Sequence, residues 1–173
     1  MKPAILSLSG VALLAACGGG STGGGSTGAS SFEQLSTSGN ALIAQYGFAA
    51  ATDPAAMPTG SATYNGVAAY SSVYSNPTDI VSYADTLSRV QLVANFNSSA
   101  ISGRAYDFAT NVPGYTISGE LPVSGTISGN AFNANIGGTL TESYQGTSVV
   151  VGWSGNVGGA FVGANAEGLV GVG

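Results

Sequence analysis

The sequence has 173 residues, of which 44% are hydrophobic and only 6% are charged, and its formal net charge is −5. That hydrophobic content is enough to bury a core, so we expect one folded domain with appendages rather than a disordered chain. The basic residues are too few to neutralise a phosphate backbone, which excludes nucleic acid as a main partner; they are Lys2, Arg89 and Arg104. The sequence contains no histidine, the commonest general base and metal ligand, so we expect neither an enzyme nor a metal site.

The start of the chain has the features of an export signal. Lys2 supplies a short positive segment, and the apolar stretch 3–16 is too short to span a bilayer as a stable helix. We therefore predict a signal peptide at residues 1–16. The run LAAC, which ends at Cys17, resembles the bacterial lipobox, in which the signal peptidase cuts before a diacylated cysteine. The alternative is an ordinary signal peptide cut at the small residues, which would leave Cys17 as an unused thiol.

A lipid anchor would give the single cysteine of this sequence a purpose. Each buried methylene contributes ~0.8 kcal/mol, so two or three acyl chains hold a protein on a membrane stably, whereas one chain does so only marginally. By resemblance to lipoprotein sorting, Gly18 in place of an Asp after the cysteine favours the outer membrane. We therefore predict lipidation of Cys17 and a location on the outer membrane, facing the cell surface.

Two segments lead from the predicted anchor to the main domain. Residues 17–31, which include the run GGGSTGGGSTGASS, are predicted to form a flexible Gly/Ser tether. Ser31 has the properties of a helix N-cap, apolar residues follow at helical spacing, and Asp53-Pro54 marks the stop. We therefore predict a short or broken helix in a lead-in over residues 32–58. We expect this helix to lie against a sheet, the alternative being a helix that binds a partner.

From Thr59 onward the sequence has the pattern of antiparallel strands, with short runs rich in Val, Ile, Tyr, Thr and Phe separated by Gly, Asn, Ser and Pro. The clearest run is 87–96, where alternate residues from Val90 to Phe96 are apolar and most of those between them are polar. Such alternation gives a strand one apolar face. The predicted strands are 60–70, 79–84, 87–96, 100–109, 115–127, 129–141, 147–158 and 168–173.

Segments within the strand region repeat one another. The run ISGRAYDF at 101–108 is echoed by ISGNAFNA at 127–134, and a third copy begins at Ile117. The repeats recur at hairpin-like spacing, which indicates a meander of strands. Successive antiparallel strands usually close on themselves, because closure removes exposed edges. We therefore predict an all-β fold, a single eight-stranded antiparallel β-barrel over residues 59–173, just wide enough to hold side chains or one small ligand.

The last stretch of the sequence resembles a known family. The segment GAFVGANAE at 159–167 is similar to Gly-x-Phe-Tyr-Gly-Pro-x-Ala-Glu in the β-barrel domain of transferrin-binding protein B and its relatives, which include the factor H binding lipoproteins. The lipobox, the glycine tether, the tyrosine-rich strand at 61–70 and the strand at 103–108 support the match. The resemblance covers most of the strand region.

The resemblance implies a surface lipoprotein that binds a host protein, or in related proteins haem or a haem carrier. The best-known relatives have two lobes and long charged loops, whereas this sequence has one lobe and short loops, which argues against transferrin itself as the ligand. The family's last strand continues past an aromatic residue, whereas this sequence stops at Gly173, so we expect incomplete barrel closure or a truncated copy. We expect a monomer. The alternatives are a structural envelope lipoprotein without a ligand and an integral outer-membrane barrel.

Three tyrosines are the predicted ligand-binding residues. Tyr70, Tyr74 and Tyr83 flank the loop SSVYSNPTDIVSYAD. Tyr beside Ser and Asn offers rigid contact area together with adaptable hydrogen bonds, and Tyr can ligate haem iron when His is absent. The alternative is that the three tyrosines pack at strand ends and at the barrel mouth. For Trp153 we expect packing in the interior.

The other reactive side chains give no enzyme signature. The run GWSG at 152–155 is one glycine short of a nucleophile elbow, and no His could serve as its base. The carboxylates have no metal-binding spacing, so we expect them on solvated strand faces and turns; they include Asp107, Glu120, Glu142 and Glu167.

Overall fold

The computed structural model describes residues 6–7, 11–17, 29–71 and 84–173, with side chains from residue 29 onward. Within these ranges the strands form one sheet, and a single α-helix lies beside it. The strands are β1 (Leu6–Ser7), β2 (Val11–Cys17), β3 (Ser61–Tyr70), β4 (Thr86–Asn95), β5 (Ala100–Thr110), β6 (Tyr115–Ser118), β7 (Glu120–Ser128), β8 (Ala131–Tyr144), β9 (Thr147–Val162) and β10 (Gly168–Val172), and the helix is α1 (Phe32–Tyr46). The predicted all-β fold class is confirmed.

The sheet curls into the predicted eight-stranded antiparallel barrel. From β3 to β10 the chain runs as a meander in which β6 and β7 form two parts of one strand, interrupted at Gly119. Gly119 has φ +115°, a conformation that favours glycine. β2 lies between β10 and β3, antiparallel to both, and completes the ring. The short β1 is an exception, because it pairs in parallel with β9.

The eighth strand differs from the prediction. It is β2, of which we assigned residues 11–16 to the signal peptide and Cys17 to the tether, and none to the sheet. Of the strand predicted at 79–84, residues 79–83 lie outside the described residues, and Ala84 precedes β4 without belonging to a strand. Residues 1–5, 8–10 and 18–28, which carry most of the predicted tether and part of the predicted signal peptide, also lie outside the described residues. Signal-peptide cleavage and lipidation of Cys17 stay predictions, and cleavage before Cys17 would leave the mature barrel without residues 11–16 of β2.

Apolar side chains fill the interior of the barrel. On β4 every second residue from Val90 to Ala94 is at most 1% exposed, whereas Arg89 and Val93 face outward. This alternation confirms the predicted apolar face, and that face lies inside the barrel. Phe161 of β9 is fully buried, with three aromatic rings 5.2 to 6.0 Å from its own, those of Tyr64, Phe96 and Phe132.

The helix begins where the sequence predicts and ends earlier. Ser31 is the N-cap: its hydroxyl accepts from the backbone N–H of Gln34, whose side chain accepts in return from the N–H of Ser31. The predicted stop at Asp53 is wrong, because α1 ends at Tyr46. Asp53 instead accepts a hydrogen bond at the start of a short 3-10 turn, Pro54–Ala56.

The helix packs against the outside of the barrel, as expected. Leu35 is 2% exposed and is buried together with Val67 of β3 and Leu87 of β4. At the other end of the helix the Tyr46 ring lies over Gly168 of β10, so closely that a methyl group on Gly168 would fall 2.4 Å from the ring. The helix therefore covers the barrel wall from β4 across to β10.

A polar cluster fixes the residue before the helix to the barrel wall. The backbone N–H of Ser30 donates to both carboxylate oxygens of Asp107, and Arg89 Nε donates to Asp107 Oδ2 at 3.0 Å and to Ser30 Oγ at 2.9 Å. Burial raises the pKa of Asp107, but the hydrogen bonds from Ser30 and the neighbouring Arg89 outweigh it and hold that pKa below its ordinary value. We call Ser30, Arg89 and Asp107 the wall clip, because they fix the point at which the chain joins the barrel.

Candidate functional site

An open cavity of about 340 Å³ lies at one end of the barrel, beside β6 and the hairpin of β8 and β9. We call it the mouth cavity, and its lining residues are Tyr115, Glu142, Tyr144, Gln145, Thr147 and Val149. β3 ends towards the same end of the barrel, since its last residue, Tyr70, contacts the ring of Trp153.

Strand alternation places the side chains of the mouth cavity. On β8 a series of inward residues is at most 4% exposed: Phe132, Ala134, Ile136 and Leu140. Side chains two residues apart share a face, so the same alternation carries Glu142 and then Tyr144 inward, beyond the packed core. Tyr115 of β6 pairs with Tyr144, and the centroids of their rings are 6.4 Å apart. The end of the hairpin therefore forms a polar and aromatic wall above an apolar interior.

The floor of the mouth cavity is a buried carboxyl group. Glu142 is only 9% exposed. Trp153 donates its indole N–H to Glu142 Oε1 at 3.0 Å, and the Tyr115 hydroxyl donates to Glu142 Oε2. Each carboxyl oxygen therefore has one donor, and both donors are electrically neutral.

No cation neutralises Glu142 in the described part of the chain. Arg89 pairs with Asp107, and Arg104 pairs with Glu120 at 2.8 Å. The remaining basic residue of the sequence, Lys2, lies outside the described residues. A buried carboxylate normally has a positive partner, because removing its charge from water is costly. Glu142 differs from such a carboxylate, because the partners of its two oxygens in the described part of the chain are both neutral.

The environment of Glu142 also affects its neighbour Tyr115. Burial, followed by the hydrogen bond to Glu142 and the charge of that carboxylate, raises the pKa of Tyr115 well above its ordinary value. The Tyr115 hydroxyl consequently keeps its proton at neutral pH and remains a donor to Glu142.

Exposed apolar and aromatic side chains surround the mouth cavity. Tyr144 is 48% exposed and Val149 is 53% exposed. Large apolar side chains at the edge of a concave surface are typical of binding sites. The mouth cavity therefore combines an apolar rim with one buried acidic group.

The structure places the first of the predicted ligand-binding tyrosines inside the barrel. Tyr70 is 2% exposed, its hydroxyl oxygen lies 3.0 Å from Ser88 Oγ, and its ring meets Trp153 edge-on at 6.0 Å. Burial raises the pKa of Tyr70. Tyr74 and Tyr83 lie outside the described residues. A ligand-binding role for these three tyrosines stays a prediction.

Of the predictions for Trp153 and Glu142, the first is confirmed and the second is wrong. The expected interior position of Trp153 is confirmed, since it is 9% exposed within the core cluster. The expectation that Glu142 lies on a solvated strand face is wrong, because its side chain points to the inward face of β8. The alternation that begins at Phe132 is the signal in the sequence that could have indicated this position.

The segment that resembles a known family forms the opposite end of the barrel. The chain turns between Val162 and Gly168. Gly163 has φ +91°, and Glu167 accepts from both the backbone and the side-chain amide of Asn165, which closes the turn. The buried Tyr64 hydroxyl donates to the carbonyl of Ala166 at 2.8 Å. These residues therefore build a barrel corner and do not line the mouth cavity.

The described ranges contain no group of three or more His, Cys, Asp or Glu side chains that could hold a metal ion. The same ranges include no helix whose length and hydropathy would let it cross a bilayer.

Comparison with known proteins identifies the fold family. No curated protein and no solved structure shows significant similarity to the chain. The family model described as the C-lobe and N-lobe beta barrels of Tf-binding protein B matches residues 57–173, which is more than half of the chain. The match covers the whole meander from β3 to β10 and confirms the resemblance seen in the sequence. The chain belongs to the family of transferrin-binding protein B β-barrel domains.

Proposed function

We propose that this protein is a lipid-anchored protein of the outer membrane that is exposed at the cell surface. It acts there as a binding module, either for a host or environmental protein or for a small solute such as haem or an iron carrier. The observation that carries this proposal is the mouth cavity, an open concavity with a buried carboxyl group in a barrel of this family. The lipobox-like run before Cys17 supports the anchor.

The packing of the barrel supports the mouth cavity as the place where a ligand binds. Aromatic and aliphatic side chains fill the interior, with Phe161 and Leu92 fully buried. A small ligand thus finds little room between the strands, whereas the mouth cavity, of about 340 Å³, lies within the usual range for ligand sites. The exposed Tyr144 and Val149 offer contact area to either a solute or a protein.

Haem is one candidate solute, because tyrosine can ligate its iron. Tyr70 has its hydroxyl on Ser88 inside the barrel, so we propose Tyr74 and Tyr83 as the residues that would ligate the metal. A haem titration followed by the absorption band tests this role, with Tyr74→Phe and Tyr83→Phe as variants and Tyr106→Phe as a control. If the haem absorption band has the same position and the same saturation curve in the parent chain and in all three variants, ligation by Tyr74 or Tyr83 is contradicted.

The packed apolar interior also bears on the alternative of an integral barrel. Barrels that cross the outer membrane carry apolar side chains on the lipid face and polar ones inside. Here the apolar face of β4, from Val90 to Ala94, lies inside, and Arg89 with Gln91 lies on the outer face. This arrangement favours a barrel held at the membrane by lipid. Carbonate extraction of a Cys17→Ala variant separates the two alternatives, since an integral barrel would stay in the pellet.

Anchoring and exposure are tested in a bacterial host with an outer membrane. Labelled palmitate should enter the full chain and not its Cys17→Ala variant, and protease added to intact cells should degrade the full chain. Protection from protease in intact cells, with degradation after lysis, would contradict surface exposure.

Binding is tested by the thermal unfolding of the purified protein. We expect haem, an iron-carrier protein or whole serum to raise the unfolding temperature, because a ligand that binds only the folded state stabilises it. A screen without any such shift would favour the structural lipoprotein without a ligand.

A further inference from the structure

The chemistry of the mouth cavity indicates which class of ligand it accepts. A carboxylate offers about four lone-pair sites, and the donors from Trp153 and Tyr115 occupy one on each oxygen of Glu142. The carboxyl group therefore keeps acceptor capacity on the side of the cavity that it lines. An anionic ligand would be repelled there, whereas a cationic ligand would supply the positive partner that the described residues do not.

The aromatic side chains beside Glu142 favour an organic cation. Tyr115 and Tyr144 both line the cavity, and their ring planes are inclined by 47° with centroids 6.4 Å apart. Aromatic ring faces attract ammonium groups within about 6 Å, and such faces recognise quaternary ammonium ligands. Val149 adds an apolar surface for methyl or methylene groups.

A metal ion fits this lining less well. Hard cations take six or more oxygen ligands, often from several carboxylates, whereas Glu142 is the single carboxyl group among the cavity's lining residues. No metal-binding group of side chains occurs elsewhere in the described chain either. A diffuse positive charge on an alkylammonium or quaternary ammonium group matches one carboxylate and two ring faces.

We propose that the mouth cavity binds an organic cation of the alkylammonium or quaternary ammonium class, with the Glu142 carboxylate as counter-charge and the rings of Tyr115 and Tyr144 as its walls. The proposal deepens the proposed function and rests on it, because it names the ligand class of the same cavity. The net charge of −5 would also attract such a ligand.

Trp153 provides a direct readout, because it is the only tryptophan of the sequence and donates to Glu142. The full chain is titrated with choline chloride while the fluorescence of Trp153 is recorded. A parallel titration uses 3,3-dimethyl-1-butanol, which has the shape of choline without its charge. A third titration uses Nα-acetyl-lysine methylamide, which separates a free solute from a lysine side chain of a protein as the source of the cation. We expect a saturable change with choline or with the lysine derivative, and none with the alcohol.

Variants assign the response to the cavity. Glu142→Gln keeps the shape of the side chain and removes its charge, so we expect affinity for the cation to fall at least tenfold. Tyr144 is half-exposed and can be changed without disturbing the core: Tyr144→Phe should retain affinity, whereas Tyr144→Leu should lose about two- to fivefold. Circular dichroism of each variant checks that it is folded.

Three results would overturn the proposal: equal responses to choline and its neutral analogue, no saturable response to either cation, or unchanged affinity in a folded Glu142→Gln variant. If Glu142→Gln fails to fold, unchanged affinity in Tyr144→Leu is the deciding negative result. If the protein is lipidated and accessible to protease on cells but binds neither choline nor the lysine derivative, only the proposed ligand class is refuted. A protein that binds choline but stays inside the cell envelope would refute surface exposure alone.

Discussion

The indole N–H of Trp153 donates to the buried carboxyl group of Glu142, 11 residues earlier in the chain, at 3.0 Å. The two residues lie on neighbouring strands, β9 and β8, and both face the barrel interior at its mouth. This contact joins the packed core to the mouth cavity. The stability of the barrel and the chemistry of the cavity therefore depend on the same pair.

Trp153→Phe should destabilise the barrel by about 1–3 kcal/mol, because it leaves one oxygen of a buried carboxyl group without its donor. The free energy of unfolding is measured by urea denaturation followed by circular dichroism. Glu142→Leu removes the acceptor instead, and the double variant completes a mutant cycle. We expect the double variant to lose less stability than the sum of the single losses. Strict additivity would show that the hydrogen bond does not couple the two side chains.

The wall clip should be sensitive to acid. The folded-state pKa of Asp107 lies below its ordinary value, so its contribution to stability is present above the unfolded-state pKa of about 4 and is lost as the pH falls through the folded value. Asp107→Asn, which still tolerates the positive φ at this position, should cost about 1 kcal/mol at pH 7 and little near pH 2.

Glu120→Gln is the matched control for the wall clip. Glu120 forms an ion pair of similar length with Arg104, but its side chain is 55% exposed against 18% for Asp107. Exposed ion pairs contribute little, so this change should stay within about 0.5 kcal/mol. Equal losses in the two variants at pH 7 would mean that burial of Asp107 does not strengthen the clip.

Tyr115 should make the barrel sensitive to alkali. Its folded-state pKa is raised, so the stability it contributes is fully present below about pH 10 and is lost as the pH rises towards the folded value. Tyr115→Phe should therefore reduce the fall in unfolding temperature between about pH 9 and pH 11.5. The same slope in the variant and the parent chain would indicate that Tyr115 is solvated.

Gly168→Ala should loosen the helix from the barrel. A methyl group at this position would lie 2.4 Å from the Tyr46 ring, so the helix must shift, at a cost of about 1–3 kcal/mol. Gly152→Ala is the control, because a methyl group there meets no atom within 4 Å. Chemical denaturation of both variants gives the comparison. A loss in Gly152→Ala as large as that in Gly168→Ala would point to backbone effects in place of helix packing.

Much of the barrel follows from local patterns. The run from Val90 to Phe96 alternates as a half-buried strand should, and the turn signals between the strands locate most of the hairpins. The N-cap at Ser31 is equally local, because Gln34 three residues later completes a capping box. The predicted end of the helix is wrong because it rests on Asp53-Pro54 as the stop signal, whereas Gly47 already caps the helix, with its N–H donating to the carbonyl of Ile43.

Features that depend on pairing between distant strands could not be predicted in the same way. An apolar run such as Val11–Cys17 has the pattern of a signal peptide and of a strand alike, so its pairing with β3 and β10 could not be predicted from the run itself. Tyr115 and Glu142 are 27 residues apart and meet only through the register of β6 with β8. The mouth cavity is therefore a product of register, which no single segment of the sequence contains.

The most direct test of the mouth cavity as the binding site is an NMR titration of the ¹⁵N-labelled full chain with choline chloride. We expect the indole N–H signal of Trp153 and the amide signals of Tyr115 and residues 142–149 to shift with one common saturation curve, while the signals of the corner at 163–168 stay unchanged. Unshifted signals at the mouth, or shifts confined to the corner, would contradict binding in the mouth cavity.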